Sequence, residues 1–571
     1  VASVGQAGSA ERETVTLNRY QWTPPRILAV LTGLAGFVNL LSGFIQKEHR
    51  VLAMLDEWLP FAISEGSRVS LIGAGLVQIL LIRGIWRRKH EAWRLACLTL
   101  LVAPWLHLGT FHWQHVPVSL ALLTAFLAYR SHFVARSDFP SIRWALVIGV
   151  VSLVVLEVAG VEALHHFRKE IAGRKTFEGN VQTVLELIFL QSTDTQYPQT
   201  EHAQTVFITI EVAALCIGGV FLTMILRPVV IRPEVSHEDI GLLRRLIDKY
   251  GEDPLNEFSF LPDKHLFFHG GGENLSVVVY ALWRDVAVTL TDPIGPKANR
   301  DEVIEAFERF CVEQDWMTVF YEVGAETLNL YHERGFSTFK VAEDARIRLS
   351  EFSLQGGKFQ NLRTAINKAK KTGISFQWYD GTAINLKLEA QMQAISHEWL
   401  QAKNGMEMTF DMGSFSIARI RNWGATLAIH SSGRVEAFST WMPYRQGRGR
   451  CLDLMRCRAE ARGTMMDFLI VSSIEYFRSR GMEEVSLGNA PLANIEKDTN
   501  RLMTEEKAIR YLFENFKRLY GYKSLFDFKK KYQPKWQGRY VAYEGIHDLP
   551  AVVMAVVRLH IPRGLWKLLR S

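Results

Sequence analysis

CLDLMRCRAEARGTMMDFLIVSSIEYFRSRGMEEVSLGNAPL, residues 451–492, reads as strand, helix, strand. Cys451–Met455 is the first strand, Gly463–Arg480 the helix and Glu484–Ser486 the second strand. Outward from it, Leu386–Leu400 is helical, Ala425–His430 and Val435–Met442 are strands, and Glu505–Leu519 is a further helix. A comparable order occurs once upstream. Ile240–Tyr250 is an amphipathic helix; Ser276–Tyr280, Asp285–Thr291 and Thr318–Tyr321 are strands; Arg300–Gln314 and Thr327–Arg334 are helices, the second stopped at Gly335. Two rounds without repeated sequence predict a duplicated α+β fold, its copies packed side by side. The subdomains fall at 236–357 and 383–545, with a connecting helix at 358–382.

Before Ser236 the texture differs. The chain has 571 residues, 48% hydrophobic and 22% charged, with a formal charge of +7, but the apolar residues crowd the first part. Disordered, collagen-like and disulfide-rich classes are excluded. Spanning a bilayer takes about 20 mostly apolar residues. Arg26–Ile45, Val69–Trp86, Leu95–Phe111, the shorter Val116–Ala128, Trp144–Leu164 and Val206–Leu226 are six such runs, predicting a membrane domain at 26–230. Leu52–Ile63 and Val181–Leu190 are too short to span and read as interfacial or re-entrant pieces, or one of them as an extra span that changes the count.

Arg83, Arg87, Arg88, Lys89 and Arg94 follow the second run; Arg130, Arg136 and Arg143 follow the fourth. By the positive-inside rule these loops, the soluble part and both termini are cytoplasmic, including a polar segment at 1–25 and an amphipathic one at 546–571. Arg168, Lys169, Arg174 and Lys175 then fall outside. No cleavable signal peptide is expected. Glu157, Glu162 and Glu211 either line a polar path or, for Glu162, reach the interface.

Positive charge is concentrated in two segments of the soluble part. KFQNLRTAINKAKK, Lys358–Lys371, puts Arg363, Asn367 and Lys370 on one helix face. Lys517–Arg539 interleaves Lys529, Lys530, Lys531 and other cations with Tyr520, Tyr522, Phe526, Phe528, Tyr532 and Trp536. Cations with aromatics suit phosphate and stacked bases, or an anionic membrane; a solvated basic face has the same pattern. Five scattered cysteines without CxxC, and His112/His115 and His165/His166 without a partner set, give no metal site.

Several short motifs occur in a characteristic order: Asp292-Pro293-Ile294-Gly295-Pro296, Leu354-Gln355-Gly356, Leu362-Arg363, His397-Glu398-Trp399-Leu400, Asp453-Leu454-Met455-Arg456, Arg462-Gly463-Thr464-Met465, Gly488-Asn489-Ala490-Pro491-Leu492 and Phe528-Lys529. With them the chain resembles the aminoacyl-phosphatidylglycerol synthases, also called the multiple peptide resistance factor family, over Ser236–Tyr543. RGIWRRKHEAWRLA and HFVARSDFPS extend the likeness into the membrane part. Thr291 and Ala342-Glu343-Asp344-Ala345 depart from the family's usual Gly before Asp-Pro and its Gly-Glu-Glu-Ala.

The resemblance implies a short form with a reduced membrane domain and a tandem acetyltransferase-like (GNAT) soluble domain. It implies transfer of lysine, alanine or arginine from aminoacyl-tRNA to phosphatidylglycerol at the cytoplasmic leaflet of a bacterial inner membrane. Lowering the membrane's negative charge would favour resistance to cationic peptides. Homo-oligomers are compatible with this reading. No cofactor is required, because the aminoacyl ester is already activated. The chain has no GxSxG elbow and no Cys–His pair, which fits direct attack by a lipid hydroxyl.

Asp453 and Arg456 are the first candidates, for orienting substrate and gripping phosphate; a structural ion pair is the alternative, and on an unbroken strand the two would face apart. Lys529 would stabilise developing charge, with Lys531 beside it. Glu398 is a candidate for the amino group, Asn489 for a carbonyl and Arg363 for phosphate. Gly463 and Thr464 open a helix where acetyltransferases bind CoA, but the Gly-rich run is missing, leaving the site for another phosphate. The competing readings are transfer to another lipid hydroxyl, a CoA-dependent N-acyltransferase, and a flippase or scaffold with a non-catalytic soluble domain.

Overall fold

The computed structural model describes residues 24–44, 75–109, 116–133, 135, 139–189, 195–225, 235–402, 407–461, 464–491, 522–545 and 548–560. The expectations for 1–23, Leu52–Ile63, Gly463 and the helix Glu505–Leu519 lie outside them. The chain divides into two compact units, one holding Gln21–Ile231 with Phe310–Trp316, the other Arg232–Arg309 with Met317–Ser571.

In the first unit all six apolar runs are helical where described: α1 Pro24–Phe44, α2 Gly75–Trp86, α3 His90–Gly109, α4 Val116–Ala128, α5 Phe139–His166 and, after a small cap, α7 Glu201–Ile225. The cap is a two-stranded ribbon, β1 Ile171–Gly173 with β2 Gln196–Pro198, around α6 Phe177–Ile188. Among the described residues two helices, Leu146–His166 and Glu201–Met224, are long and apolar enough to cross a membrane. The 13 residues of α4 rise only about 20 Å, and α3 begins with His90, Glu91 and Arg94 and contains Pro104.

The second unit is built on one eleven-stranded sheet. It opens with α8 His237–Tyr250, started by a capping box in which Ser236 and Asp239 bond each other's backbone N–H. The first round is β3 His265–His269, β4 Ser276–Trp283, β5 Val286–Thr289, α9 Arg300–Glu313, β6 Met317–Gly324, α10 Leu328–Glu333 and β7 Ser337–Arg348. The connector is α11 Gln360–Lys371. The second round is β8 Ile374–Tyr379, α12 Leu386–Ala402, α13 Ile417–Trp423, β9 Ala425–His430, β10 Val435–Tyr444, β11 Gly449–Cys457, α14 Thr464–Ser479 and β12 Glu484–Pro491. Then come α15 Tyr522–Lys530, β13 Lys535–Tyr543 and α16 Leu549–His560.

The order β3-β4-β5-β6-β13-β7-β12-β11-β10-β9-β8 shows the duplication. Each round has an antiparallel run and one parallel pair joined through a helix: β5 with β6 through α9, and β11 with β12 through α14. The pairing of β7 with β12 fuses the rounds into one sheet rather than two abutting domains.

The sequence-based boundary at 383–545 needs correcting here. β13 is inserted between β6 and β7 of the first round, antiparallel to both. The segment expected as an amphipathic tail, α16, buries Leu549, Val552, Ala555 and Val556 in a core with Val286, Val288, Val319, Phe339 and Val341. Burying each of Leu549, Val552 and Val556 contributes roughly 1.5–3 kcal/mol, so the C-terminal segment completes the first subdomain. In the second, α14 buries Phe468, Leu469, Ile470, Val471, Ile474 and Phe477. That packing fixes the two strands carrying the site.

Candidate functional site

β11 and β12 are paired only over Gly449–Cys451 and Glu484–Ser486. Both strands run on, β11 to Cys457 and β12 to Pro491, without pairing to each other. Candidate residues lie along this unpaired stretch. The β10–β11 register shifts between Ser439 and Trp441, where Asp453 and Leu454 of β11 together oppose Thr440 of β10, so strict alternation does not apply to Asp453 and Arg456.

The Asp453 carboxylate accepts from the Gly413 N–H at 3.0 Å and from the Thr440 hydroxyl at 3.2 Å. Thr440 is held by the Leu454 N–H at 2.9 Å. A Cβ at residue 413 would overlap this carboxylate, so only glycine fits there. Burial pushes the Asp453 pKa up to about 6; the Gly413 amide, Arg419, Thr440 and Arg456 pull the other way. Such a carboxylate is mostly ionised at neutral pH yet basic enough to take a proton.

Across the splay, the Lys529 ammonium donates to the Asn489 carbonyl at 2.6 Å. Burial lowers its pKa to about 8, against the pull of Asp344, Cys451 and Glu322. Gly488, at φ +78°, lets the chain turn beside the Leu452 carbonyl and close to the Lys529 Nζ. The Asn489 side chain donates to Glu322 Oε1 at 2.6 Å. Glu322 is 2% exposed, has φ 58°, and its Oε2 has no partner among the described residues. Burial and the nearby Asp411 hold its carboxyl well above the usual carboxylate range, against the pull of Arg539 and the Asn489 hydrogen bond. Arg539 closes the network, donating to Asp253 at 2.5 Å, to the Glu322 carbonyl at 3.3 Å and to Asp344 at 3.4 Å.

The structure therefore brings Asp453, Lys529 and Asn489 to the splay. Arg456 stands apart, 3% exposed, donating to Ser396 and to Glu407 at 2.7 Å, and stacked 4.9 Å over Trp399. Glu407 also accepts from the Phe415 N–H at 2.9 Å. With both terminal nitrogens committed, Arg456 is not poised as a two-pronged phosphate grip. It ties α12 and the Glu407–Phe415 loop, which supplies Gly413 to Asp453.

The remaining candidates lie elsewhere. Glu398 accepts from the Ala459 N–H at 2.8 Å, holding the chain after β11. Arg363 turns back on the carbonyls of Leu354 and Gly356, leaving Lys358, Lys368, Lys370 and Lys371 as the exposed cations of that segment. Lys531 pairs with Asp467 at 3.2 Å in the first turn of α14, which Thr464 opens.

Glu322, Thr440, Gly413 and Glu407 were not singled out from sequence. Only Glu322 carried a signal there, as an acid inside the apolar strand Met317–Gly324. Glu322→Gln keeps an acceptor for Asn489 and is expected to hold activity within about threefold, whereas Glu322→Leu strands the buried amide and lowers it about tenfold or more. Steady-state rates of the two variants, beside their circular dichroism, check this.

The family described as "Phosphatidylglycerol lysyltransferase, C-terminal" matches residues 244–543. The chain is 29% identical over 328 residues to the phosphatidylglycerol lysyltransferase of Bacillus subtilis (strain 168), covering 57% of this chain and 38% of that protein. It is 29% identical over 314 residues to the protein of the same name from Staphylococcus aureus (strain MRSA252), covering 55% and 37%. The chain thus spans about two-fifths of the length of these relatives. Among solved structures it matches L-PGS from Bacillus licheniformis at 27% identity and TM-score 0.52, over 58% of this chain and 99% of that one. The C-terminal domain of a putative lysylphosphatidylglycerol synthetase from Agrobacterium fabrum matches at 25% identity and TM-score 0.50, over 57% and 97%.

Proposed function

The chain belongs to the phosphatidylglycerol lysyltransferase C-terminal family, and on that premise we propose that it moves an aminoacyl group from aminoacyl-tRNA to a glycerol hydroxyl of phosphatidylglycerol. The observation that carries this reading is geometric: where β11 and β12 part, a buried carboxylate, Asp453, is held by the Gly413 N–H and the Thr440 hydroxyl, and a buried amine, Lys529, is held by the Asn489 carbonyl. Transfer between two alcohols needs that pair. Asp453 takes the proton of the attacking lipid hydroxyl. The hydroxyl oxygen bonds to the ester carbonyl carbon, and Lys529 stabilises the oxyanion. The bond to the ribose oxygen of the tRNA terminus then breaks, and that oxygen leaves with a proton supplied by Lys529. One ester is consumed and one formed, so no redox partner or activated co-substrate enters.

Lysine is the amino acid favoured by the names of the relatives. The enzyme works at the cytoplasmic face of a bacterial inner membrane, anchored by Gln21–Ile231 as a multi-pass domain. The exposed valines of α5 support this: Val147, Val150, Val151, Val154, Val155 and Val158 are each more than half exposed, a surface suited to lipid rather than water. The exposed lysines of α11 suit the tRNA backbone.

The test is labelling of lipid in membranes containing this chain, with a radiolabelled amino acid and total tRNA, followed by mass spectrometry. The expected result is an aminoacyl-phosphatidylglycerol whose formation stops on RNase treatment. Labelling that survives RNase, or a product without a glycerol ester, overturns the reading. Mass spectrometry decides among lysine, alanine and arginine.

A further inference from the structure

A cleft of about 430 Å³ is lined by Arg244, Glu257, Phe260, Arg419, Asn422 and Trp423, among others. It is walled by α8 and the Asn256–Phe260 turn on one side and by α13 on the other. Glu257 is 3% exposed and organises it. Its carboxylate accepts two bonds from Arg244, at 2.6 and 3.2 Å, and one from the Trp423 indole at 3.1 Å. The Arg244 guanidinium lies 4.1 Å over Phe260. Arg419 lies 5.6 Å over Trp423 and is tethered to Ser414 through one terminal nitrogen, its second having no bond among the described residues.

We propose that this cleft binds the phosphodiester of the acceptor lipid through the uncommitted terminal nitrogen of Arg419, with Arg244, whose terminal nitrogens are held by Glu257, adding positive charge to the lining. The proposal rests on the reading above and adds the place where the lipid headgroup is held. Two cations against one carboxylate leave the lining one charge positive, which one phosphodiester neutralises. Planar, aromatic-backed guanidiniums are suited to phosphate oxygens.

The lining favours a lipid over a nucleotide, because its two aromatic rings each carry a guanidinium where a base would stack. Phe260 is covered by Arg244 and Trp423 by Arg419, and Trp423 also packs edge-on against Phe258. Location supports it as well. Arg419 is anchored on Ser414, the neighbour of Gly413, whose N–H holds Asp453, and the guanidinium acts electrostatically on that carboxylate. A headgroup held by its phosphate there presents its glycerol hydroxyls towards the proposed base.

The test uses the full chain in detergent, dihexanoyl-phosphatidylglycerol and aminoacyl-tRNA. Arg419→Gln removes the tethered cation. Asn422→Trp fills the cleft from an exposed position without touching the Glu257 bonds. The KM for the lipid is expected to rise about tenfold or more in both, with the KM for aminoacyl-tRNA within about twofold of wild type. A rise in the tRNA KM instead, or no change in either, overturns the proposal. Titration calorimetry with the same short-chain lipid keeps the two readings separable. If wild type binds it, Asn422→Trp does not, and no aminoacyl-lipid forms with any aminoacyl-tRNA, the cleft stands and the transferase reading falls.

Discussion

Asp453→Asn lowers aminoacyl-lipid formation about 10³-fold while making the protein more stable at neutral pH. The loss follows from removing the only group at the splay, among the described residues, that is ionised at pH 7 and basic enough to take the lipid proton. The gain follows from the same burial. The folded pKa of Asp453 is raised to about 6 from 3.8, so between those values the native state binds more protons than the unfolded chain. Stability therefore falls as pH rises through that window, and the penalty stays constant above it. Asparagine has no charge to desolvate and keeps an acceptor for the Gly413 N–H, so it escapes a penalty of about 2 kcal/mol. Thermal unfolding at pH 5 and pH 8 checks the sign: the advantage over wild type should be larger at pH 8. An Asp453→Asn enzyme of normal activity removes Asp453 from the mechanism.

Lys529→Met lowers the rate about 10²-fold or more and removes the alkaline limb of the pH profile. Burial keeps the Lys529 pKa near 8, so its ammonium is the main form at pH 7 and is lost as pH rises through 8. In wild type kcat/KM should rise through about pH 6 as Asp453 ionises and fall above about pH 8 as Lys529 loses its proton. Methionine matches the stem without the charge, so the loss is electrostatic rather than a cavity effect. Profiles taken with an amino-acid donor blocked at its α-amino group separate Lys529 from titration of the substrate. An unchanged alkaline limb in Lys529→Met assigns that limb elsewhere.

The Arg456 geometry limits what the D-x-x-R pattern alone can mean. From sequence, Asp453 and Arg456 were one candidate pair. In the structure the carboxylate is held by Gly413 and Thr440, and the guanidinium by Ser396, Glu407 and Trp399. They are linked through a loop, not by a shared ligand. Arg363 and Glu398 show the same limit, because their donors and acceptors are used on nearby backbone. A charged residue in a motif shows that chemistry is available; its partners decide whether it remains available to a substrate.

The sequence by itself determined the apolar runs, the α+β character and most elements of the two rounds, though not β3, β7, β8 or α13. Those follow from local periodicity, stop signals and run length, which short windows contain. The ordered motifs also offered Asp453, Lys529 and Asn489 as candidates, which the structure brings to one strand junction. Only the tertiary structure decided that β13 crosses back between β6 and β7 and that α16 completes the first core. It alone decided that Glu322 meets Asn489 from 167 residues away and that two arginines face one cleft. Strand pairing and buried charge depend on which surfaces meet, and no window of sequence records that contact.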